Sequence, residues 1–340
     1  MGPPKPKQYQ VAVIAYVEPF NPPAWVRERF NQAGIECSIT NCLTEPEVVD
    51  LARDKDILLT SSARKLLTAR VLAQLNACRA LVRVGSGLDC IEVSAATARG
   101  IVVVNTPDAL TEEVSDHAAA LLLDCVRHIA RQDRLVVRRG LWHARTLLPT
   151  KRIRGKTLGL IGLGRIARAL IRKLGGFDLT YLAYDPYVDP GTVAQQNIRL
   201  VSLEELLTEA DFVSVHVPLT FETYHLLGER EFKLMKHQAI LINTARGAIV
   251  DQTALYRALT EGWIAGAGLD VLEQEPPPRA DPLLQLENIV VTPHTAASSD
   301  ELMDALYEAG YQVTLELLAG NLPATIVNPE VQPWWTTVPQ

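Results

Sequence analysis

Cysteine is scarce in this 340-residue chain. There are five (Cys37, Cys42, Cys78, Cys90, Cys125), an odd number with no CxxC pair. Neither a disulfide framework nor a zinc site is suggested, and no metal is expected. Buried, reduced thiols are the expectation. Positive charge is also in short supply: 33 Lys and Arg stand against 39 Asp and Glu, a formal net charge of −6. A general nucleic-acid binder needs a basic face to displace counterions from phosphate, so no nucleic-acid partner is expected. Long apolar runs are missing too. None approaches the roughly 18 residues of a membrane span, and the N-terminal MGPPKPKQYQ has no apolar stretch of the secretory kind. The expected setting is the cytoplasm, with no membrane partner.

What is present is a globular composition, 48% apolar and 21% charged, in a chain long enough for two domains of about 100 to 200 residues. Short β-branched or apolar runs alternate with helix-length amphipathic segments, the pattern of parallel sheets with crossover helices. The first third carries QVAVIAY (10–16), IECSIT (35–40), DILLT (56–60), ALVRVG (80–85) and IVVVNTP (101–107), with a helix expected over 23–33. A Gly- and Pro-free apolar stretch over 111–131 is expected to be a buried connecting helix. A second α/β series follows: TLGLIG (157–162), LTYLAYD (179–185), FVSVHVP (212–218), AILINTA (239–245), IAGAGLDV (264–271) and NIVVTPH (288–294). Residues 298–320 are expected to form a last long helix, opened by a Ser298/Glu301 capping box and closed by Gly320 and Pro323.

The sharpest local motif is Gly162-Leu-Gly164-Arg-Ile-Ala167, which ends an expected strand and opens an expected helix. The first glycine suits a tight turn, the second lets the backbone approach a pyrophosphate, and the small Ala167 lets helix pack on strand. The helix N-terminus supplies N–H groups and partial positive charge to phosphates. Asp185 ends the next strand, where a carboxylate accepts hydrogen bonds from ribose hydroxyls; it favours NAD (NADH) and disfavours NADP, whose 2′-phosphate it repels.

In open α/β sheets, ligands collect at the carboxyl ends of strands. Three ionisable residues fall there: Arg246 after AILINTA, Glu275 after GLDV, and His294 at the end of NIVVTPH. An arginine offers a planar fork to a carboxylate, and a histidine held beside a glutamate can act as an acid near neutral pH. Together they suit a 2-oxo acid.

These residues carry a resemblance. IRGKTLGLIGLG (153–164), AYDP (183–186), NTARGAIVDQTAL (243–255), GAGLDVLEQEP (266–276) and TPHTAA (292–297) resemble the D-isomer-specific 2-hydroxyacid dehydrogenase family, on its phosphoglycerate dehydrogenase and C-terminal binding protein-like side. The resemblance implies two doubly wound α/β domains, flavodoxin-like and NAD-binding Rossmann, with the active cleft between them. The substrate domain is then 1–106 plus 296–330, the NAD-binding domain 107–295, and the tail 331–340. By the same resemblance Arg246 clamps the substrate's carboxylate and carbonyl, His294 donates the proton and Glu275 holds His294. Arg165 and Ile166 touch the pyrophosphate, Thr244, Ala245 and Arg246 lie along the nicotinamide side with His294, and Asp270 lies near the nicotinamide. Gly85, Ser86 and Gly87 turn backbone N–H groups to the substrate carboxylate.

Departures within the family narrow the substrate. Glu275 stands where the formate branch has Gln, and Ser86 where the phosphite branch has Lys. Ser61 stands where phosphoglycerate dehydrogenases often have a phosphate-reading Arg, with Arg64 and Lys65 nearby. Two readings follow: an NAD-dependent dehydrogenase of small 2-hydroxy/2-oxo acids, or an NAD(H)-sensing scaffold like the C-terminal binding proteins. The basic cluster Arg127, Arg131, Arg134, Arg138 and Arg139 is expected to be solvated or subunit-facing. A homodimer contact is implied around Ala118 to Leu148, with His143 and Arg145 reaching a neighbour. Trp334 and Trp335 receive no role.

Overall fold

The computed structural model describes residues 9–15, 21–62, 64–142, 150–193 and 197–331. His143, Arg145, Trp334 and Trp335 lie outside the described residues. The chain divides into two compact units, Met1–Leu110 with Ser299–Gln340, and Thr111–Ser298. Residues Pro107–Leu110, read from the sequence as part of the second unit, form a 3-10 turn whose Ala109 and Leu110 pack in the first unit's core.

In the first unit β1 (Gln10–Ala15), α1 (Trp25–Gln32), β2 (Glu36–Asn41), α2 (Glu45–Ala52), β3 (Ile57–Thr60), α3 (Ala69–Leu72), β4 (Ala80–Arg83), α4 (Val93–Ala98) and β5 (Val102–Asn105) alternate. The five strands form a parallel sheet in the order β2-β1-β3-β4-β5. The inner strands are covered by helices on both faces, so they are continuous apolar runs rather than alternating ones. The C-terminal helix Leu302–Leu318 returns to this unit, where Trp25 Nε1 donates to Asp304 Oδ1 at 2.6 Å and Phe30 meets Tyr311 edge-on at 4.9 Å. That helix starts later than its sequence pattern indicates. Its N-cap is Glu301, whose side chain makes no capping hydrogen bond, and Ser298 belongs to the other unit, its N–H donating to Thr295 O at 2.8 Å, so the expected capping box is not made. Gly320, at φ +86°, closes the helix as expected.

The second unit opens with α5 (Thr111–Arg127) and α6 (Ile129–Gln132). The expected single helix breaks at His128, whose φ is +57°, because the Asp124 carboxylate takes the Ala130 N–H at 2.7 Å and starts a new turn. Then follow β6 (Thr157–Ile161), α7 (Arg165–Lys173), β7 (Thr180–Tyr184), β8 (Ile198–Leu200), α8 (Leu203–Glu209), β9 (Phe212–Val215), α9 (Glu229–Leu234), β10 (Ile240–Asn243), α10 (Gln252–Thr260), β11 (Gly266–Leu269) and β12 (Ile289–Val291). All seven strands are parallel, in the order β12-β11-β10-β9-β6-β7-β8. The three-residue edge strand β8 has no counterpart in the sequence reading. Its arginine-centred Ile-Arg-Leu is too short to show a period.

The strand order reverses between β6 and β9, the switch point at which doubly wound sheets bind ligands. Ile161 pairs with Tyr184 and Val215, Val215 with Asn243, Asn243 with Leu269, and Leu269 with Val291. This register sets Gly162, Asp185, His216, Thr244, Asp270 and Thr292 in one row just past the strand ends. All five cysteines are buried, and none forms a disulfide among the described residues. Among the described residues no helix is long and apolar enough to cross a membrane.

Candidate active site

The row begins with the glycine turn. Gly162 has φ +91°, a conformation that favours glycine, and a Cβ there would lie 2.9 Å from the His216 carbonyl. Gly164 is the N-cap of α7 and carries no side-chain cap, so the first turn of the helix at Arg165 and Ile166 opens beside a bare backbone with space where a side chain would stand. Ala167 is fully buried against the sheet. Asp185 accepts the Leu163 N–H on one oxygen and the Tyr187 N–H on the other, both at 2.9 Å. Its carboxylate is thus oriented by the glycine turn itself, and each oxygen keeps a lone pair for a ligand hydroxyl. The neighbouring His216 ring accepts or donates with Ser214 Oγ at 2.9 Å, and burial pushes its pKa down to about 4.

Arg246 is set by a residue the sequence reading passed over. Asn243, 1% exposed, donates from Nδ2 to Arg246 O at 2.9 Å and accepts the Ala245 N–H on Oδ1 at 3.0 Å, closing the turn that carries Thr244, Ala245 and Arg246. Arg246 Nη1 donates to Ala245 O at 2.7 Å. The next residue explains the turn's place. A Cβ on Gly247 would stand 1.9 Å from the Leu272 carbonyl carbon, so only glycine lets this turn press on the backbone leading to Glu275.

Glu275 and His294 meet. Glu275 Oε2 lies 2.6 Å from His294 Nδ1, and Oε1 accepts the Leu272 N–H at 3.0 Å. Burial alone would raise the Glu275 pKa, but the bonds from His294 and Leu272 and the Arg246 charge outweigh it and hold the carboxyl below its ordinary value. Glu275 is therefore an ionised acceptor, His294 donates Nδ1–H to it, and Nε2 has no protein partner among the described residues. The His294 side chain is 46% exposed. Its backbone is held at φ +56°, a strained conformation that costs about 1–3 kcal/mol and persists only where surrounding bonds enforce it.

Asp270 supplies that enforcement. The sequence reading puts it beside a nicotinamide; the structure shows its carboxylate 1% exposed and already engaged. It accepts Thr292 Oγ1–H at 2.6 Å, Thr295 N–H at 2.8 Å and Ala296 N–H at 2.9 Å, and its carbonyl accepts the His294 N–H at 2.8 Å. Because the Thr292 hydroxyl proton is committed to Asp270, His117 Nε2, 2.8 Å from that hydroxyl, is the donor. Nothing in a strand-end Asp-Val signals this role.

In the first unit the turn after β4 carries Gly85, Ser86 and Gly87. The Gly85 N–H does not face outward as expected; it donates to the buried Thr106 Oγ1 at 2.8 Å. The Ser86 and Gly87 N–H groups have no acceptor among the described residues. Ser61 is hydrogen-bonded to Tyr307 at 3.0 Å. Of the basic cluster, Arg131 pairs with Glu287 at 3.2 Å and Arg138 with Asp133 at 2.5 Å.

Comparison with known proteins agrees with this geometry. Residues 119–296 match the family model described as D-isomer specific 2-hydroxyacid dehydrogenase, NAD binding domain. The chain is similar to a glyoxylate reductase of Korarchaeum cryptofilum, 44% identical over 84% of this chain and 86% of the relative. It is also similar to a D-3-phosphoglycerate dehydrogenase of Methanocaldococcus jannaschii, 38% identical over 86% of this chain and 55% of that one. Among solved structures, a glyoxylate reductase from Paecilomyes thermophila aligns with a TM-score of 0.85 at 26% identity, covering 96% of this chain and 99% of that one. An acyclic imino acid reductase in complex with NADPH and D-Arg aligns with a TM-score of 0.84 at 27% identity, over 93% and 99%.

Proposed function

The chain belongs to the D-isomer-specific 2-hydroxyacid dehydrogenase family, a nicotinamide-dependent oxidoreductase acting on CH–OH donors, and from that premise we propose that it is an NAD-dependent reductase of small 2-oxo acids. The observation that carries the proposal is the His294–Glu275 pair, in which Nδ1 is committed at 2.6 Å and Nε2 is left open. The scaffold reading of the C-terminal binding protein kind has no need of such a pair.

A nicotinamide dinucleotide fits the residues present. Gly164 faces open space at the start of α7, and the Thr244 hydroxyl is buried with no hydrogen-bond partner among the described residues, a polar atom placed to meet a ligand group. Gly162, Gly164, Arg165 and Ile166 would hold the pyrophosphate, and Thr244 and Ala245 the nicotinamide side. The Asp185 carboxylate would take the ribose hydroxyls and repel a 2′-phosphate, so NADH is expected to outperform NADPH. When bound, the reduced nicotinamide supplies a hydride from its C4.

The protein's own groups do the rest. His294 Nε2–H gives its proton to the ketone oxygen as the ketone carbon is reduced, and Glu275 keeps the ring turned for that transfer. Arg246 offers its guanidinium to the carboxylate and carbonyl of the acid, a charge-assisted, planar match. Ser86 and Gly87 offer N–H groups to a carboxylate. In the opposite direction His294 takes the proton back from the hydroxyl.

Five buried thiols suit a reducing compartment, the cytoplasm. Ile129 (60% exposed), Leu141 (52%) and Trp142 (77%) leave apolar surface along the segment after α5, which supports a homodimer through that segment. The test of function is NADH oxidation with glyoxylate, hydroxypyruvate, pyruvate, 2-oxobutyrate, phenylpyruvate and 3-phosphohydroxypyruvate, with His294→Ala as control. Reduction of at least one acid, lost in the variant, is expected. Tight NADH binding with no acid reduced would turn the case to the NAD(H)-sensing scaffold.

A further inference from the structure

His117 lies near the start of α5, in the same unit as Asp270 and His294. Its helix presses on β11 at a glycine: a Cβ on Gly268 would lie 3.0 Å from Leu121 Cβ and 3.1 Å from Cys125 Sγ. Residues 117, 121 and 125 recur every four positions and share one helix face. His117 is one turn, about 5.4 Å, before Leu121, and Asp270 is two residues, about 6.6 Å, beyond Gly268. The two steps match, so the packing that seats Leu121 and Cys125 on Gly268 brings the His117 ring to the end of β11. There its side chain is 24% exposed.

The ring opens a directional chain. His117 Nε2–H donates to Thr292 Oγ1 at 2.8 Å, and the Thr292 hydroxyl donates to Asp270 Oδ1 at 2.6 Å. Asp270 in turn accepts the Thr295 N–H at 2.8 Å and the Ala296 N–H at 2.9 Å. A hydroxyl has a single proton to give. Were the His117 proton on Nδ1, Nε2 would be an acceptor competing with Asp270 for that hydroxyl; with the proton on Nε2, the hydroxyl is turned to Asp270. His117 Nδ1 has no protein partner among the described residues, so the Thr292 side sets which nitrogen carries the proton. The same Nε2–H lies 3.6 Å from Asp270 Oδ1 and adds its dipole to the carboxylate's surroundings.

We propose that His117 is a positioning residue for His294: donating from Nε2, it turns the Thr292 hydroxyl onto Asp270 and so fixes the carboxylate that holds the backbone around His294. The proposal rests on the 2-oxo acid reading above and adds to it a residue of the connecting helix that acts through two others. A glutamine can stand in for it, because its amide N–H reaches about as far from the backbone as Nε2 does. An asparagine cannot, because it is one methylene shorter and ends where Nδ1 stands.

The experiment uses the full chain and compares wild type with His117→Gln and His117→Asn. It reads kcat per NADH-binding site and KM for the best 2-oxo acid, NADH affinity by fluorescence, and amide hydrogen exchange at Thr295 and Ala296 by mass spectrometry. His117→Asn is expected to lower kcat about tenfold or more and to speed exchange at both amides, with KM and NADH affinity changed less than about threefold. His117→Gln is expected to stay within about threefold of wild type in every reading. Nitrogen-15 NMR of wild type should show a proton on His117 Nε2, and this carries the test by itself if His117→Asn does not fold. A merely structural role would lower the number of NADH-binding sites at constant kcat per site and would not separate the two amides. That pattern, a His117→Asn variant as fast as wild type, a folded His117→Gln variant as slow as His117→Asn, or an unprotonated Nε2 overturns the proposal alone. A wild-type protein that reduces no 2-oxo acid overturns the functional reading and this proposal with it.

Discussion

Replacing Asp270 by asparagine removes one oxygen and the charge from a side chain that is 1% exposed. In the wild type Oδ1 serves Thr292 Oγ1–H and Thr295 N–H, and Oδ2 serves Ala296 N–H. An asparagine can keep its oxygen at the Oδ1 position and satisfy the first two, but its NH2 then faces the Ala296 N–H, a donor against a donor. Leaving one buried donor unsatisfied costs about 1–3 kcal/mol, and the two remaining bonds lose the extra strength of a charged acceptor. Asp270→Asn is therefore expected to lower the unfolding free energy by about 2–4 kcal/mol. The strained φ of +56° at His294 is kept by the same bonds, so kcat is expected to fall at least tenfold. Urea unfolding followed by circular dichroism, with kcat measured on the folded variant, reads both effects. A variant within about 0.5 kcal/mol of wild type, with kcat preserved, would refute the view that Asp270 is the anchor of the catalytic loop.

Further outcomes follow from the same geometry. Glu275→Gln keeps the shape but removes the ionised partner of His294, and kcat should fall by about 10²-fold or more with NADH affinity unchanged; a loss below fivefold contradicts the pair's role. Because Glu275 is held below its ordinary pKa, its ion-paired form contributes stability above about pH 4.3, which is lost as pH falls through the lower folded value. Gly247→Ala must push apart backbone only 1.9 Å from the new Cβ, so a loss of about 3 kcal/mol or more is expected; a thermal midpoint equal to wild type speaks against so close an approach of the two turns. His216 is neutral when folded, with its pKa pushed to about 4, while the unfolded chain binds the proton near pH 6.5. The unfolded state thus binds more protons in this window, and stability falls as pH drops from about 6.5 toward 4. Between pH 7 and 4.5 wild type should lose about 2 kcal/mol more than His216→Asn, and equal losses in urea titrations contradict the assignment.

The parts legible in the sequence are those written in short stretches of chain. The glycine turn, the acid at the end of the next strand and the three ionisable residues at strand ends can be read because strand, turn and helix follow one another locally. Asn243 and Gly247 could not be assigned in this way. One acts through a turn it closes, and the other through the Leu272 backbone, distant along the chain, which only the β10–β11 pairing brings near. Asp270 was legible as a strand-end acid, but not its three donors, which arrive from the turn after β12. The helix break at His128 comes from one carboxylate, Asp124, competing for a backbone N–H, a choice that periodicity does not record.

The most direct test of the account is to follow the hydrogen itself. NADH deuterated at C4 on the transferring face is incubated with the protein and 2-oxobutyrate, and the product is analysed by mass spectrometry and chiral chromatography. The account predicts 2-hydroxybutyrate of D configuration carrying deuterium at C2, formed by wild type and absent with His294→Ala. Product of L configuration, product without deuterium, or equal product from the variant contradicts it.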